Sequence, residues 1–506
     1  MLRPLFFLLL LKALFIFLLQ LYGGIGLGPD EAQYRDWSLQ PDWGYYSKPP
    51  GIALQIGLGT KIFGENVWGV RSFSLLLGTL ISLQIYYLCR KSGIGTKGAF
   101  WGAILFAFSP LGFMASSLAI TDVGMVFFGL FSLIETADSI RQEKSPRYLL
   151  IGSAIAMSAF FKWSAYLFWL PIFLLMPRFP SLRSKKAAGG AVLSLVGFIP
   201  PLIWNFQHDG MTFRHVFDSI RGTSGGETFF QGNFFSFLGA QAALLSPLLF
   251  LLLILIFWTG FQKRKELPSP VLYCAEACLI LLFPAIALSL FKKVQGNWAD
   301  YAYPPAFVLL GYAAENFSFK KAAYIFSGVS AALLSLFVYT LPAIQSGNLM
   351  AKFPIPYKIN PFRHNIGWES LQEALASVKY NPEEEFLLTG SYQMTAIMSF
   401  YGQDRIPAYF FNLFGTRNNH YSLQPGPDKE DKRKNGIFIM AENEPHLQQH
   451  KKNIPTYLRK LALHFDKVEY MGSFPLFKAY GKTCKAALLF KGTGYKGTLP
   501  DKTDRF

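Results

Sequence analysis

The chain has 506 residues, 51% of them hydrophobic and 17% aromatic, with only 16% charged, against about 25% charged in a soluble domain. Its formal net charge is +17, yet the Lys and Arg residues collect in short hydrophilic gaps between apolar runs rather than in a basic stripe interleaved with exposed aromatics. Nucleic acid is set aside as a partner, and a chain that crosses a lipid bilayer many times is expected.

A helix needs about 20 apolar residues to cross a bilayer. In chain order the apolar runs predict spans near 4–22, 66–89, 98–117, 122–140, 147–163, 164–177, 188–206, 234–260, 270–291, 298–315 and 322–343. The first run is followed by no small-x-small cleavage site, and a retained first helix is expected there. The gaps alternate in charge. One set contains Arg90, Lys91 and Lys97; Arg141, Lys144 and Arg147; Arg178, Arg183, Lys185 and Lys186; Lys263, Arg264 and Lys265; and Lys320 and Lys321. The positive-inside bias assigns that set to the cytoplasm. The outside set is then 23–65, the turn near Asp122, 207–233 and the turn near Lys292.

Eleven spans leave the last third outside. There EEFLLTG, GIFIMAE and KVEYMGSFPLFKAY alternate as strands do, and SLQEALASVKY and SYQMTAIMSFYG have helical periodicity. The expected fold is an all-α polytopic membrane domain of about eleven transmembrane helices, residues 1–343, followed by a small α/β soluble domain, residues 344–506. A loosely ordered tail is expected after about residue 490. Of the four cysteines, only Cys484 lies in the soluble part, so no disulfide framework is available there.

The outside gap at 23–65 is long for a connector. It carries Asp30 and Glu31, then Trp37, Trp43, Tyr45 and Tyr46, then Lys48 before Pro49 and Pro50. Adjacent acids at the mouth of a bundle suit a general base or ligands of a divalent metal. A cation set on stiff backbone suits a phosphate. A solvated loop with belt aromatics has the same composition. Asp122 lies at a sharp turn near membrane depth, where a carboxylate is costly; it is a functional candidate and a helix cap at once. Arg71 and Lys162 lie where helices meet the outside face. Lys162 can snorkel, and Arg71 calls for a loop acid or a ligand phosphate. His208 and Asp209 are possible ligands without a strong metal spacing. Asn297, Trp298 and Tyr303 suit sugar hydroxyls as well as an interface belt.

These residues resemble a known family. The run GPDEAQYRDWS…GYYSKPP resembles the first periplasmic loop of the GT-C membrane glycosyltransferases, in particular glycosyltransferase family 39 and the aminoarabinose lipid A transferases, relatives of protein O-mannosyltransferases. The Arg of WGVRSFS, the Asp of AITD, the WNFQHDGMTF run, GNWADYAYPP and YQMTAIMSFYGQ follow in the expected order. The resemblance implies transfer of a sugar from a polyprenyl-phosphate donor to an envelope acceptor: lipid A, lipopolysaccharide, another glycan or a protein. It places that reaction on the periplasmic face of the bacterial inner membrane, with the C-terminal domain periplasmic. It casts Asp30, Glu31 and Asp122 as catalytic acids. Lys48, Arg71 and Lys162 would hold the donor phosphate. Tyr45, Tyr46, His208, Asp209, Asn297, Trp298 and Tyr303 would contact substrate, with Tyr392 and Gln393 as weaker contacts. Many family 39 members have His where this chain has Lys48, a difference that bears on the donor sugar. A transporter or flippase of a lipid-linked substrate is the alternative; it predicts an internal repeat, and none is evident.

Overall fold

The computed structural model describes residues 1–221, 232–402, 407–427, 434–501 and 503. Residues 222–231 of the outside gap at 207–233, and Gln403 of the YQMTAIMSFYGQ run, lie outside the described residues.

The first two thirds are helical. Among the described residues six helices are long and apolar enough to cross a membrane: Leu2–Tyr22, Val67–Lys91, Thr121–Arg141, Lys186–Gln207, Ser269–Phe291 and Lys321–Ser346. Two bent pairs bring the number to eight if each pair is one span. Thr96–Phe108 and Pro110–Ser117 meet at 66°, and Phe234–Leu245 and Pro247–Gln262 at 101°. Both breaks have one cause. Proline lacks the N–H that would continue the first helix and is accommodated at the start of the second. At the first break the Ser109 hydroxyl accepts from Gly112 N at 3.1 Å, so Ser109 caps the new helix. At the second, Ser246 takes φ 74° before Pro247. The expected spans at 147–163 and 164–177 are short helices, Tyr148–Ala159 and Trp163–Leu175. The expected span at 298–315 begins as a 3-10 turn, Gly296–Ala302, and is α-helical only over Ala306–Asn316. Helix length and composition alone therefore single out six to eight helices of bilayer length among the described residues.

The basic gaps meet at one end of the bundle. Lys91 Nζ donates to Asp138 at 2.9 Å, Arg147 pairs with Glu135, and the Gly95 and Gly98 N–H groups donate to the Glu315 carboxylate. The gap at 23–65 is built rather than loose. It holds two helices, Pro29–Leu39 and Gly51–Phe63. Glu31 at the third position of the first helix accepts from Gly28 N at 2.9 Å, and Pro29 stands at its start. Gly51 N donates to Phe160 O at 2.8 Å, and a Cβ at Gly51 would come within 2.6 Å of that oxygen. Only glycine lets the chain after Pro49–Pro50 dock so closely.

The last third carries one mixed sheet in the order β2-β1-β3-β5-β4. Its strands are β1 (Glu385–Thr389), β2 (Tyr409–Phe410), β3 (Asn435–Asn443), β4 (Phe465–Ala479) and β5 (Lys482–Tyr495). β1 is parallel to β2 and β3, and β5 is antiparallel to β3 and β4. The strand β5 runs through residue 490, where a loose tail was expected, and ends at Tyr495. Ala486–Phe490 are all buried, so this stretch is continuously apolar and lacks the alternation of a half-exposed strand. The helix Tyr392–Tyr401 packs on Pro29–Leu39. Ala32, Trp37, Ile52, Trp368, Ile397 and Leu489 belong to one buried cluster, so the sheet-bearing part sits on the first outside gap.

Candidate active site

The two acids at the start of the Pro29–Leu39 helix have different surroundings. Glu31 is buried and faces Arg71, which donates from Nε at 2.8 Å and from Nη2 at 2.6 Å. The same guanidinium donates to Ile25 O at 2.9 Å and Gly26 O at 2.7 Å. Glu31 further accepts from Ala119 N at 2.8 Å and Asn365 Nδ2 at 3.4 Å. Of the two partners the sequence allows for Arg71, the structure supplies the loop acid. The pair ties the outside gap to the Val67–Lys91 helix, the turn before Asp122 and the C-terminal part. Buried, bidentate and mutually neutralising, it has the geometry of a brace.

Asp30, one residue earlier, lines a cavity of about 330 Å³. Glu31, Ile120, His364, Asn365 and Gln393 also line this cavity. Tyr392 Oη donates to Asp30 Oδ1 at 3.4 Å, so the weak contact candidate Tyr392 stands at the acid. Asp30 is exposed to the cavity but set within the bulk of the protein, and that burial raises its carboxyl pKa; Glu31 adds to the rise, while Lys48 and Tyr392 oppose it. Lys48 lies in the field of Asp30, Asp122 and Lys162. Burial and Lys162 lower its pKa, and the two aspartates act against that. Its ammonium makes no hydrogen bond or ion pair among the described residues; only its backbone carbonyl is engaged, by Tyr45 N at 3.0 Å.

Behind Lys48 lies a second group. Lys162 Nζ donates to Asp122 Oδ1 at 2.5 Å, and Thr121 Oγ1 reaches Asp122 Oδ2 at 3.4 Å. Lys162 is thus held by a carboxylate instead of reaching toward headgroups. Asp300 is a further member that the sequence reading passed over. It is 6% exposed and within electrostatic reach of Asp122 and Lys162, and its Oδ1 has no hydrogen-bond partner among the described residues. Asp122 and Asp300 line one small pocket with Ile120 and Pro304. The signal was available: an acid in the apolar stretch around WADYAYPP invites the same argument as Asp122.

The remaining candidates scatter. The Tyr45 ring stacks on Trp37 at 4.5 Å and its hydroxyl donates to Trp37 O at 2.9 Å, which anchors the gap. Tyr46 is buried beside His215, ring centroids 5.0 Å apart, and its hydroxyl has no partner among the described residues. His208 stacks on Trp204 at 4.1 Å, and Asp209 is exposed in a left-handed turn, φ 52°. Tyr303 donates to Gln241 Oε1 at 2.9 Å inside the bundle core. That packing, which a sequence of aromatics cannot distinguish from a rim, takes Tyr303 away from any open site. Asn297 is half-buried and Trp298 is 41% exposed, a surface position. Among the described residues no group of three or more His, Cys, Asp or Glu side chains converges as metal ligands do.

Residues 47–204 match the family described as dolichyl-phosphate-mannose-protein mannosyltransferase. The chain is 28% identical over 287 residues to a lipid A galacturonosyltransferase, RgtD, of Rhizobium johnstonii, covering 55% of this chain and 59% of that one. It is 27% identical over 312 residues to an undecaprenyl phosphate-alpha-4-amino-4-deoxy-L-arabinose arabinosyl transferase of Pseudomonas aeruginosa, covering 56% and 55%. The chain thus spans a little over half the length of the curated relatives it matches. Among solved structures, apo ArnT from Cupriavidus metallidurans superposes with a TM-score of 0.61 at 14% identity, over 96% of this chain and 98% of that one. The chain therefore shares the fold of the ArnT structure, and residues 47–204 resemble the mannosyltransferase family.

Proposed function

We propose that this chain is an inverting glycosyltransferase. It moves a sugar from a polyprenyl-phosphate carrier to an envelope acceptor, lipid A, lipopolysaccharide, another glycan or a protein, at the periplasmic face of a bacterial inner membrane. The observation that carries this reading is Lys48, an ammonium with no anion in contact among the described residues, within electrostatic reach of Asp30. A lipid-linked donor has the matching shape: its tail belongs in the bilayer, and its phosphate and sugar belong at the rim. The names of the relatives, two of them sugar transferases, support it. So does the fold shared with ArnT, for which a crystal structure bound to undecaprenyl phosphate exists.

In this reading Lys48 receives the donor phosphate and stabilises the charge that grows on it as the sugar leaves. Asp30 orients the acceptor and takes its proton when the acceptor is a hydroxyl. Attack from the face opposite the departing phosphate inverts the anomeric carbon. Arg71 is occupied by Glu31 and Lys162 by Asp122, so neither is the first choice for the phosphate. Asp122, with Asp300, fixes Lys162 behind the donor site. The chain crosses the membrane about eleven times, its shorter apolar helices completing the set, with the basic gaps cytoplasmic and the sheet-bearing part periplasmic.

Asp30→Asn is the direct test. Transfer by purified membranes should fall by about 10²-fold or more, the scale of a general base, with folded protein present at the parental amount. Near-normal turnover by that variant would refute the assignment.

A further inference from the structure

The cavity beside Asp30 joins the first outside gap to the C-terminal part. Asp30 and Glu31 line it together with His364, Asn365 and Gln393, Asn365 Nδ2 donating to Glu31 at 3.4 Å, and Leu118 and Ile120 supply apolar wall. No Lys or Arg lines it among the described residues. Lys48 and Arg417 act on Asp30 and on its partner Tyr392 from outside the lining. Arg71 is held by Glu31, and Lys485 donates to Ile366 O at 2.7 Å with its ammonium 3.6 Å from the Trp368 ring centroid. Lys48 is not part of the wall. His364 does not substitute for a cation. Burial lowers its imidazole pKa, Arg363 and Lys485 lower it further against Glu442, and the ring is neutral at pH 7.

A phosphate entering here would bring negative charge against the Asp30 carboxylate with no Lys or Arg in the lining to contact it. A sugar hydroxyl both donates and accepts, and carboxylate and amide side chains are its ordinary partners. We infer that the acceptor group is a sugar hydroxyl rather than a phosphate, seated between Asp30 and the wall of His364, Asn365 and Gln393. This rests on the transferase reading above. The step balances simply. The hydroxyl oxygen bonds to the anomeric carbon, and the bond from that carbon to the carrier phosphate breaks. Its electron pair leaves on the phosphate beside Lys48, and the hydroxyl proton passes to Asp30. A phosphate acceptor, already ionised, would need no such base.

The test is a linkage analysis. Lipid A and the other envelope glycans are isolated from the host and from a strain lacking this chain, and the fraction that loses one sugar mass is identified. That fraction from the host is then dephosphorylated with aqueous hydrogen fluoride, which cleaves glycosyl phosphates and spares glycosidic bonds. The sugar should remain on the dephosphorylated product, and the fraction that carries it tells a lipid A sugar from one in another glycan. Release of the sugar with the phosphate, or its recovery on a protein, overturns the inference and leaves the transferase reading standing. No missing sugar in any fraction sinks that reading and the inference together. In the complemented strain, His364→Ala and Gln393→Ala should each lower product at least threefold at equal membrane abundance; unchanged product in both overturns the seat of the acceptor.

Discussion

At the scale of single residues, neighbours one position apart do different work. Asp30 opens on a cavity while Glu31 is closed against Arg71. The burial that raises the Asp30 pKa has a measurable consequence. Only the carboxylate can accept a proton, so the turnover rate should fall as pH drops through a point above the usual carboxylate value of about 4. Lys48 opposes that rise, so Lys48→Met should move the acid limb to still higher pH and should also raise the donor KM about tenfold or more. A pH–rate profile of both proteins checks this, and an acid limb that stays in place would count against Lys48 facing Asp30. Asp30, Lys48 and Asp122 were legible because charge beside a bilayer is costly and therefore conspicuous. Asp300 was not, because Trp298 and Tyr301 around it have the look of an interface belt. Whether Arg71 meets a ligand or a loop acid depends on a contact 40 residues away, which no local pattern encodes.

At the scale of elements, the outside gap is a pair of helices locked in place by polar bridges. Arg71 and Glu31 tie its first helix to the Val67–Lys91 helix. Asp36, further along, accepts from Ser399 Oγ and Tyr421 Oη, both at 2.6 Å, and so binds the same helix to the C-terminal part. Removing one member of a buried pair leaves an uncompensated charge and costs about 3–5 kcal/mol. Arg71→Met should therefore lower the unfolding temperature of the detergent-solubilised protein, whereas Asp30→Asn should leave it near the parental value. Thermal unfolding followed by intrinsic fluorescence separates the two; equal loss in both would make Asp30 a structural residue as well. The helix start at Pro29 and the proline breaks went unread: 23–65 was expected as a loop, and 98–117 and 234–260 as single spans. The strand β5 was missed because a strand buried on both faces has no period of two to detect.

At the scale of the whole molecule, the charge pattern and the architecture agree. The basic gaps gather at one end, and the acids and cations of the site gather at the other, beneath the sheet-bearing part. Eleven apolar runs were counted in the sequence, but proline breaks and 3-10 turns leave six to eight helices of bilayer length. Hydropathy counts apolar residues and is blind to where a helix bends. Cysteine labelling from the periplasm should modify single cysteines introduced near residues 42 and 209 and spare those near 92 and 265; the opposite pattern would put the site on the wrong face. The most direct test of the central claim is the mass of the envelope glycolipids and glycans in a strain lacking this chain, complemented with the parental gene or with Asp30→Asn. One sugar mass should be missing in the deletion strain, restored by the parental chain and still missing with the variant. Identical masses in the deletion strain and its parent, or full restoration by Asp30→Asn, would contradict it.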